Sequence, residues 1–123
     1  MANQIVWFDI PVKDLDRAIR FYSAVLGAPV KKEQMPGMTL GLLSHQNEEI
    51  GGCLTPGAPD DTNKPSEQGP LLYFNCQGRL DQAIAAVEPN NGKVLQAKHP
   101  IGPYGFRGIV LDSEGNRIAL HSM

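Results

Sequence analysis

Two short apolar stretches of this chain carry polar and aromatic residues that could together bind a small molecule. The first stretch holds Trp7 and Asp9, and the second holds Tyr73 and Asn75. Both are rich in β-branched and aromatic residues, which predicts strands whose successive side chains point to opposite faces. The alternation places each pair on one face, together with His121 from a later predicted strand. Two aromatic rings, a carboxylate, an amide and an imidazole are typical of a pocket for a small organic molecule.

Each of these side chains also has a purely structural alternative. Trp7 would be a platform for a ligand or only a filler of space. Asp9 would hold a neighbouring backbone group or pair with Arg117. His121, two residues from the end of the chain, would be a solvated residue or a group that titrates near neutral pH. Tyr104 lies in a loop rich in proline and glycine, which would be a connector or a lid. The sequence leaves these alternatives open.

The familiar catalytic motifs are missing. Cys53 and Cys76 form no CxxC pair and lie in apolar surroundings, which predicts two buried thiols in a reducing compartment. The chain contains none of the patterns GxxxxGK[ST], HExxH and GxSxG, and no GxGxxG follows a predicted strand. No catalytic residue can therefore be assigned from a motif.

Length and composition exclude several classes of partner. The 123 residues suffice for one domain of ordinary size. Lys and Arg number 11 against 13 Asp and Glu, whereas a dedicated nucleic-acid-binding protein has a basic excess. No apolar run reaches the length of about 18 residues that suggests a membrane span, and no secretory signal opens the chain. We therefore predict a cytoplasmic protein with no nucleic-acid or membrane partner.

The first half of the chain is predicted to contain a strand, a helix and three further strands. A helix is predicted over 14–26, because apolar residues recur there at helical spacing. Asp14 suits its N-cap, and Gly27 suits the left-handed conformation that ends helices. Residues 56–69 have no periodicity and contain several prolines, which predicts a surface linker. The predicted strands of this half are 5–10 and about 29–34, 38–44 and 49–55.

The second half repeats this order of elements. Its predicted elements are a strand at 71–76, a helix at 80–87 and strands at about 93–98, 105–112 and 117–122. Five residues of the first helix and its stop recur 65 positions later, since Leu15, Asp16, Ala18, Ile19 and Gly27 match Leu80, Asp81, Ala83, Ile84 and Gly92. Two βαβββ halves, neither able to bury its sheet alone, imply one pseudo-symmetric domain.

Two segments of the chain carry a family resemblance. The first runs from Ile10-Pro-Val-Lys-Asp-Leu-Asp-Arg-Ala18 through Phe21-Tyr22 to Leu26-Gly27, and the second is Gly105-Phe-Arg-Gly-Ile-Val-Leu-Asp-Ser-Glu-Gly-Asn-Arg-Ile-Ala-Leu-His121. They resemble the opening and the final hairpin of the glyoxalase/bleomycin-resistance/extradiol-dioxygenase proteins, the vicinal oxygen chelate superfamily. The resemblance implies an α+β fold with two pseudo-symmetric βαβββ modules, 1–55 and 70–123, joined by the linker 56–69. It further implies that their eight strands form a cupped mixed sheet with the helices outside.

The resemblance also implies a place for a divalent metal ion, with ligands on the first and fourth strands of each module. On this sequence those places fall near Trp7, Gly52, Tyr73 and Ala119. Zinc, iron and manganese take imidazole, carboxylate or thiolate ligands, and none of these residues supplies one. A register error of one residue would add only the thiol of Cys53. We therefore expect no metal and no other cofactor.

Three functions follow as hypotheses. The first is a metal-independent protein that binds a small organic molecule, similar to the antibiotic-sequestering members of that superfamily. An alternative is a lyase, isomerase or dioxygenase-type enzyme, with misplaced metal ligands or with His121 and Asp9 as acid and base. A second alternative is a non-catalytic dimerisation module, and the resemblance implies a homodimer. The ligand-binding residues predicted for the first hypothesis are Trp7, Asp9, Tyr73, Asn75, Tyr104 and His121.

Overall fold

Each half of the chain forms a four-stranded sheet and one helix. The computed structural model describes residues 3–57 and 62–123, so residues 58–61 of the predicted linker lie outside the described residues. The first module consists of β1 (Trp7–Val12), α1 (Leu15–Leu26), β2 (Lys31–Met35), β3 (Met38–Leu42) and β4 (Gly51–Pro56). The second module consists of β5 (Leu72–Asn75), α2 (Leu80–Ala85), β6 (Lys93–Pro100), β7 (Phe106–Leu111) and β8 (Arg117–Ser122).

The order of the strands is the same in the two sheets. It is β1-β4-β3-β2 in the first and β5-β8-β7-β6 in the second. In both sheets the first and fourth strands of the module run parallel, and the remaining pairs are antiparallel. The predicted α+β class with two pseudo-symmetric βαβββ modules is therefore confirmed, with the eight strands divided equally between two mixed sheets.

Helix α1 begins and ends where the sequence predicts. Asp14 is its N-cap, and its carboxylate accepts a hydrogen bond of 3.1 Å from the backbone N–H of Arg17. Gly27 ends the helix with a φ of 69°, a conformation that glycine adopts without strain. The side chains that the helix buries are Ala18, Phe21, Tyr22 and Val25. No helix in the described ranges is long and apolar enough to cross a membrane.

Helix α2 is shorter than predicted. It ends at Ala85, residues 86–87 form a turn in place of the expected last two helical residues, and a 3₁₀ turn (Glu88–Asn90) follows. Pro89 lacks the N–H that a longer helix would need. Gly92 follows, and a Cβ at this position would lie 2.5 Å from the ring of Phe21 in α1. The glycine thus allows the two helical regions to pack closely.

One hydrophobic core is shared by the two modules. The rings of Phe8 in β1 and Phe74 in β5 meet edge to face at 5.9 Å between centroids. The ring of Tyr22 in α1 also contacts Phe74, at 5.7 Å. The buried cluster continues through Val25 and Val87, which have no exposed surface. Neither module therefore has a core of its own.

Candidate functional site

The face of each sheet that points away from its helix, here called the open face, carries the predicted site residues. Ile10 and Val12 in β1 are buried in the shared core, whereas Trp7 and Asp9 lie on the open face, as the alternation predicts. The same holds in the second module for Tyr73. Trp7 and Tyr73 remain 42% and 49% exposed. Both large rings are therefore accessible to a ligand.

Four side chains on the first sheet form what we call the sheet-one cluster: Trp7, Asp9, His45 and Cys53. The indole N–H of Trp7 donates to Oδ1 of Asp9 at 3.1 Å, and the thiol of Cys53 donates to the same oxygen at 3.2 Å. The ring of His45 meets the indole edge to face, with centroids 5.7 Å apart. Gly51 leaves room for this arrangement, since a Cβ there would lie 2.7 Å from the indole ring.

The thiol of Cys53 is unsuited to nucleophilic chemistry. Burial, followed by the hydrogen bond and the negative charge of Asp9, raises the pKa of Cys53 to about 11. At neutral pH the group is therefore a thiol, whereas nucleophiles and metal ligands need the thiolate. Both Cys53 and Cys76 are buried and unpaired, as the sequence predicts.

Four side chains on the second sheet form what we call the sheet-two cluster: Tyr73, His99, Arg107 and His121. Cross-strand pairing places Arg107 opposite both His99 and His121. The guanidinium Nε–H of Arg107 donates to Nε2 of His99 at 3.0 Å, and Nη1 donates to the hydroxyl of Tyr73. The ring of Tyr73 also meets that of His121, with centroids 6.0 Å apart. Side chains of β5 and β6 thus contact the guanidinium that β7 carries, and His121 of β8 contacts the ring of Tyr73.

The hydrogen bonds fix the form of both histidines. Nδ1 of His99 lies 2.9 Å from the carbonyl oxygen of Ala97, while its Nε2 accepts from Arg107. In this arrangement Nδ1 of His99 is the donor and Nε2 is the acceptor. Nε2 of His121 lies 2.6 Å from the carbonyl oxygen of Tyr104, so Nε2 carries the proton that is donated. The ordered bond shows that His121 is not a frayed terminal residue.

The six predicted ligand-binding residues fall into separate groups. Trp7 and Asp9 share the sheet-one cluster, and Tyr73 and His121 share the sheet-two cluster. Asn75 pairs with His121 across the strands, but its Oδ1 accepts from the backbone N–H of Gln77 at 2.9 Å. Tyr104 contributes its carbonyl oxygen, whereas its side chain is 71% exposed.

No hydrogen bond or ring contact between described residues joins the sheet-one cluster to the sheet-two cluster. In the described part of the chain no hydrogen bond or ring contact connects Asp9 with His121, so the acid–base alternative gains no support from the geometry. Asp9 does not pair with Arg117, whose guanidinium instead donates to the carbonyl oxygen of Gly69 at 3.2 Å. The carboxylate of Asp9 accepts instead from the side chains of Trp7 and Cys53.

Sequence reasoning missed two members of the sheet-two cluster. His99 lies outside the strand predicted at about 93–98, but β6 extends to Pro100 and includes it. Arg107 falls in the strand predicted at about 105–112, but the sequence analysis gave it no role in ligand binding. Pairing the final hairpin about its turn would have placed Arg107 opposite His121. His45, which lies between the strands predicted at about 38–44 and 49–55, was also missed as a neighbour of Trp7.

A cleft of about 560 Å³ opens between the two modules beside Tyr73. Its volume lies within the usual range for small-molecule sites, and such sites are mostly apolar with a few polar groups. Two of the predicted residues, Tyr73 and Asn75, line it. Its apolar lining includes Ile5, Leu26, Leu43, Ile50 and Leu71.

The residues at the implied metal positions do not fit a divalent ion. Gly52 faces the helix side, where a Cβ would lie 2.5 Å from the ring of Phe8, so Trp7 has Gly51 as its open-face neighbour. Tyr73 has Ala119 as its neighbour in β8. An indole, a methyl group and a neutral phenol are poor ligands compared with imidazole or carboxylate. Among residues 3–57 and 62–123 no three His, Cys, Asp or Glu side chains are grouped to hold a metal.

Comparison with known proteins gives one family. The family model described as the Glyoxalase/Bleomycin resistance protein/Dioxygenase superfamily matches residues 4–120. No curated protein matches the sequence. The match includes both modules and therefore nearly the whole chain.

Several solved structures have the same fold. A glyoxalase/bleomycin resistance protein from Albidiferax ferrireducens is 18% identical, with a TM-score of 0.77, and the match covers 98% of this chain and 99% of that one. The fosfomycin resistance protein FosX from Listeria monocytogenes is 14% identical, with a TM-score of 0.68 and coverage of 100% and 95%. A mutant of glyoxalase I from Zea mays is 20% identical, with a TM-score of 0.70, and the match covers 94% of this chain and 44% of that one. At such identities the likeness establishes the fold alone.

Proposed function

We propose that this chain, which belongs to the Glyoxalase/Bleomycin resistance protein/Dioxygenase superfamily, binds a small organic molecule without the help of a metal ion. The observation that carries the proposal is the position of Tyr73. Tyr73 is one of the residues that line the apolar cleft, and its hydroxyl accepts a hydrogen bond from Arg107 in the sheet-two cluster. A ligand with an apolar body in the cleft would meet polar groups at one end, which would fix its orientation.

The test of this proposal is to fill the cleft. Ala28 lines it, so Ala28→Trp would occupy the space, whereas Ala85→Trp on the exposed end of α2 is a matched control. Thermal-shift and NMR screening with aromatic metabolites should give ligands that the wild type and Ala85→Trp bind alike. Ala28→Trp, with its fold checked by circular dichroism, should bind them at least about tenfold more weakly. No ligand at all, or equal binding by both variants, would refute the proposal.

Metal independence is a separate part of the proposal. It is supported by the indole of Trp7, the phenol of Tyr73 and the methyl of Ala119 at the implied ligand positions. Protein purified without an affinity tag should contain no stoichiometric zinc, nickel, manganese or iron, and EDTA should leave ligand binding unchanged. One equivalent of metal per chain that EDTA removes together with binding would contradict it.

We also propose that the protein is a homodimer. Large apolar side chains are exposed on the first module, and exposed apolar patches often mark interfaces. Val6 is 76% exposed, and its exposed apolar neighbours in sequence are Ile5 and Trp7. Sedimentation at micromolar concentration should give a mass near twice 13.4 kDa. Val6→Glu should shift the mass towards the monomer, whereas Met123→Glu at the exposed C-terminus should not. A monomer in the wild type would refute the proposal.

A cytoplasmic location is proposed as well. Cys53 and Cys76 are buried and unpaired, which suits a compartment that keeps thiols reduced. Cell fractionation with an antibody against the chain should place it with cytosolic markers. Recovery in a secreted or periplasmic fraction would contradict the proposal.

A further inference from the structure

The positive charge of Arg107 has no counterion in the described part of the chain. The four ion pairs there join other side chains, and none includes this guanidinium. Both hydrogen bonds that it donates go to rings and not to a carboxylate, namely the imidazole of His99 and the phenol of Tyr73. The side chain is only partly exposed, so water alone screens the charge less well than at an open surface.

The same guanidinium keeps hydrogen-bond donors free for a ligand. An arginine side chain has five N–H groups, and two of them are used by His99 and Tyr73. One N–H on Nη1 and two on Nη2 have no acceptor among residues 3–57 and 62–123. Neighbouring N–H groups of these two nitrogens match the spacing of the two oxygens of a carboxylate, and such charge-assisted pairs are stronger than neutral hydrogen bonds.

The partners of Arg107 hold the guanidinium in place before a ligand arrives. His99 fixes Nε, and His99 is itself fixed by its Nδ1–H bond of 2.9 Å to the carbonyl oxygen of Ala97. Tyr73 fixes Nη1, and its ring lies 5.9 Å from the guanidinium carbon. A guanidinium held from two sides loses little freedom on binding, which favours recognition over a merely structural role.

We infer that the small molecule carries a carboxylate and that Arg107 binds it. This inference rests on the proposed function, because Tyr73, which lines the apolar cleft, accepts a hydrogen bond from the guanidinium, which itself lies beside the cleft lining. The ligand class is thus an apolar, preferably aromatic, body with one carboxylate at its end. His99 is a positioning residue, since it acts on the carboxylate only through Arg107.

The inference is tested with two probes of the same shape, phenylacetate and phenylacetamide. NMR titration of isotope-labelled protein would follow the backbone signals of the cleft and the Nε–H signal of Arg107. The wild type should bind phenylacetate at least about tenfold more tightly than phenylacetamide. Added salt should weaken the binding of phenylacetate and leave that of phenylacetamide nearly unchanged.

Substitutions separate charge from shape. Arg107→Gln should weaken phenylacetate binding about tenfold or more and leave phenylacetamide within about twofold. Arg107→Lys should recover only part of the affinity, because an ammonium cannot form the paired bond. Arg20→Gln, which removes a charge from the exposed surface of α1, is the matched control and should change neither affinity. His99→Ala keeps the charge, and it should move the Arg107 signal and weaken phenylacetate binding only.

Two outcomes would overturn the inference. Equal affinity of the wild type for phenylacetate and phenylacetamide would mean that the site does not recognise the carboxylate charge. The proposal that the cleft binds a small molecule would then still stand. An Arg107 signal that phenylacetate does not move would exclude the guanidinium as the anchor. The Ala28→Trp experiment tests independently whether ligands bind in the cleft. Failure of the carboxylate site can therefore be distinguished from failure of the proposed function.

Discussion

Glu114 is a buried carboxylate whose hydrogen bonds come mostly from the other module. Its oxygens accept from the backbone N–H groups of Lys13 and Asp14, both at 2.8 Å, and from the guanidinium of Arg17 at 2.7 Å and 2.9 Å. Burial by itself raises the pKa of Glu114, but Arg17 and the backbone donors outweigh it and lower the pKa to about 2. The carboxylate therefore stays ionised in the folded protein under ordinary conditions.

Because the pKa of Glu114 is lowered on folding, the free energy of unfolding should decrease as the pH falls. Its folded pKa of about 2 lies below its ordinary value of 4.5, so its stabilising effect is complete above pH 4.5. The effect is lost as the pH falls towards 2. At neutral pH, Glu114→Gln should lower the free energy of unfolding by roughly 3 kcal/mol. Urea titrations between pH 7 and pH 2 should show that this difference shrinks in acid.

A matched substitution shows whether the effect belongs to this site. Glu67 is exposed and takes part in no ion pair within the described ranges. Glu67→Gln should change the free energy of unfolding by less than about 0.5 kcal/mol at every pH. If the loss in free energy of unfolding caused by Glu114→Gln were the same at every pH, the negative charge of Glu114 would not be the source of its stabilising effect.

Asp9 controls the reactivity of the neighbouring thiol. Burial and Asp9 together hold the pKa of Cys53 at about 11, so little thiolate exists at pH 8. Asp9→Asn removes the negative charge, and the rate of alkylation of Cys53 at pH 8 should rise several-fold. Iodoacetamide labelling followed by peptide mass spectrometry measures the rate at each cysteine. Asp16→Asn, an exposed change on α1, should leave the rate unaltered, and an equal rise in both variants would refute the role of Asp9.

At the scale of elements, the turn between β7 and β8 connects the second module to the first. Asp112 accepts from the backbone N–H groups of Glu114 and Asn116 through Oδ1, which forms the turn. Its Oδ2 accepts from the hydroxyl of Tyr22 in α1 at 2.5 Å. The amide of Asn116 donates to the carbonyl oxygen of Pro11 at the end of β1. One tight turn thus serves both the hairpin and the contact between modules.

Removing the hydroxyl of Tyr22 should weaken this contact. Burial, followed by the negative charge of Asp112, holds the pKa of Tyr22 well above its ordinary value, so the hydroxyl remains a donor. Tyr22→Phe leaves a buried carboxylate oxygen with one partner fewer, and we expect a loss of about 1–3 kcal/mol in the free energy of unfolding. Tyr104→Phe, at an exposed ring, should change it by less than about 0.5 kcal/mol. Equal values for the two variants, measured by urea denaturation, would contradict the argument.

Local patterns predicted the elements and the faces of the first strands. Alternation in β1 and β5 placed Trp7, Asp9 and Tyr73 correctly, because a side chain's face depends only on its own strand. The contact of Arg107 with His99 depends on the register between β6 and β7, and two irregularities in that pairing prevent simple counting from the loop between these strands. Contacts such as Glu114 with Arg17 span 97 positions of the chain and leave no local signal. Long-range register and packing are thus what the sequence pattern lacked.

At the scale of the whole molecule, the shared core makes the two modules one folding unit. Phe8 and Phe74 meet across the boundary, and Tyr22 and Glu114 contribute polar bonds on either side of it. The candidate cleft lies at the same boundary, between residues of both modules such as Leu43 and Tyr73. The geometry of the cleft therefore depends on how firmly the modules are held together.

The protein should accordingly unfold in one cooperative transition. Trp7, the single tryptophan, reports the first module by fluorescence, and the NMR signals of Arg107 and Ala119 report the second. Their urea midpoints should coincide in the wild type. In Tyr22→Phe they should shift together by the same amount, although the substitution lies in the first module. Separate midpoints, or a shift confined to the tryptophan signal, would show that each module is stable by itself. The cleft would then open whenever the modules part, and ligand binding would have to supply the energy that holds them together.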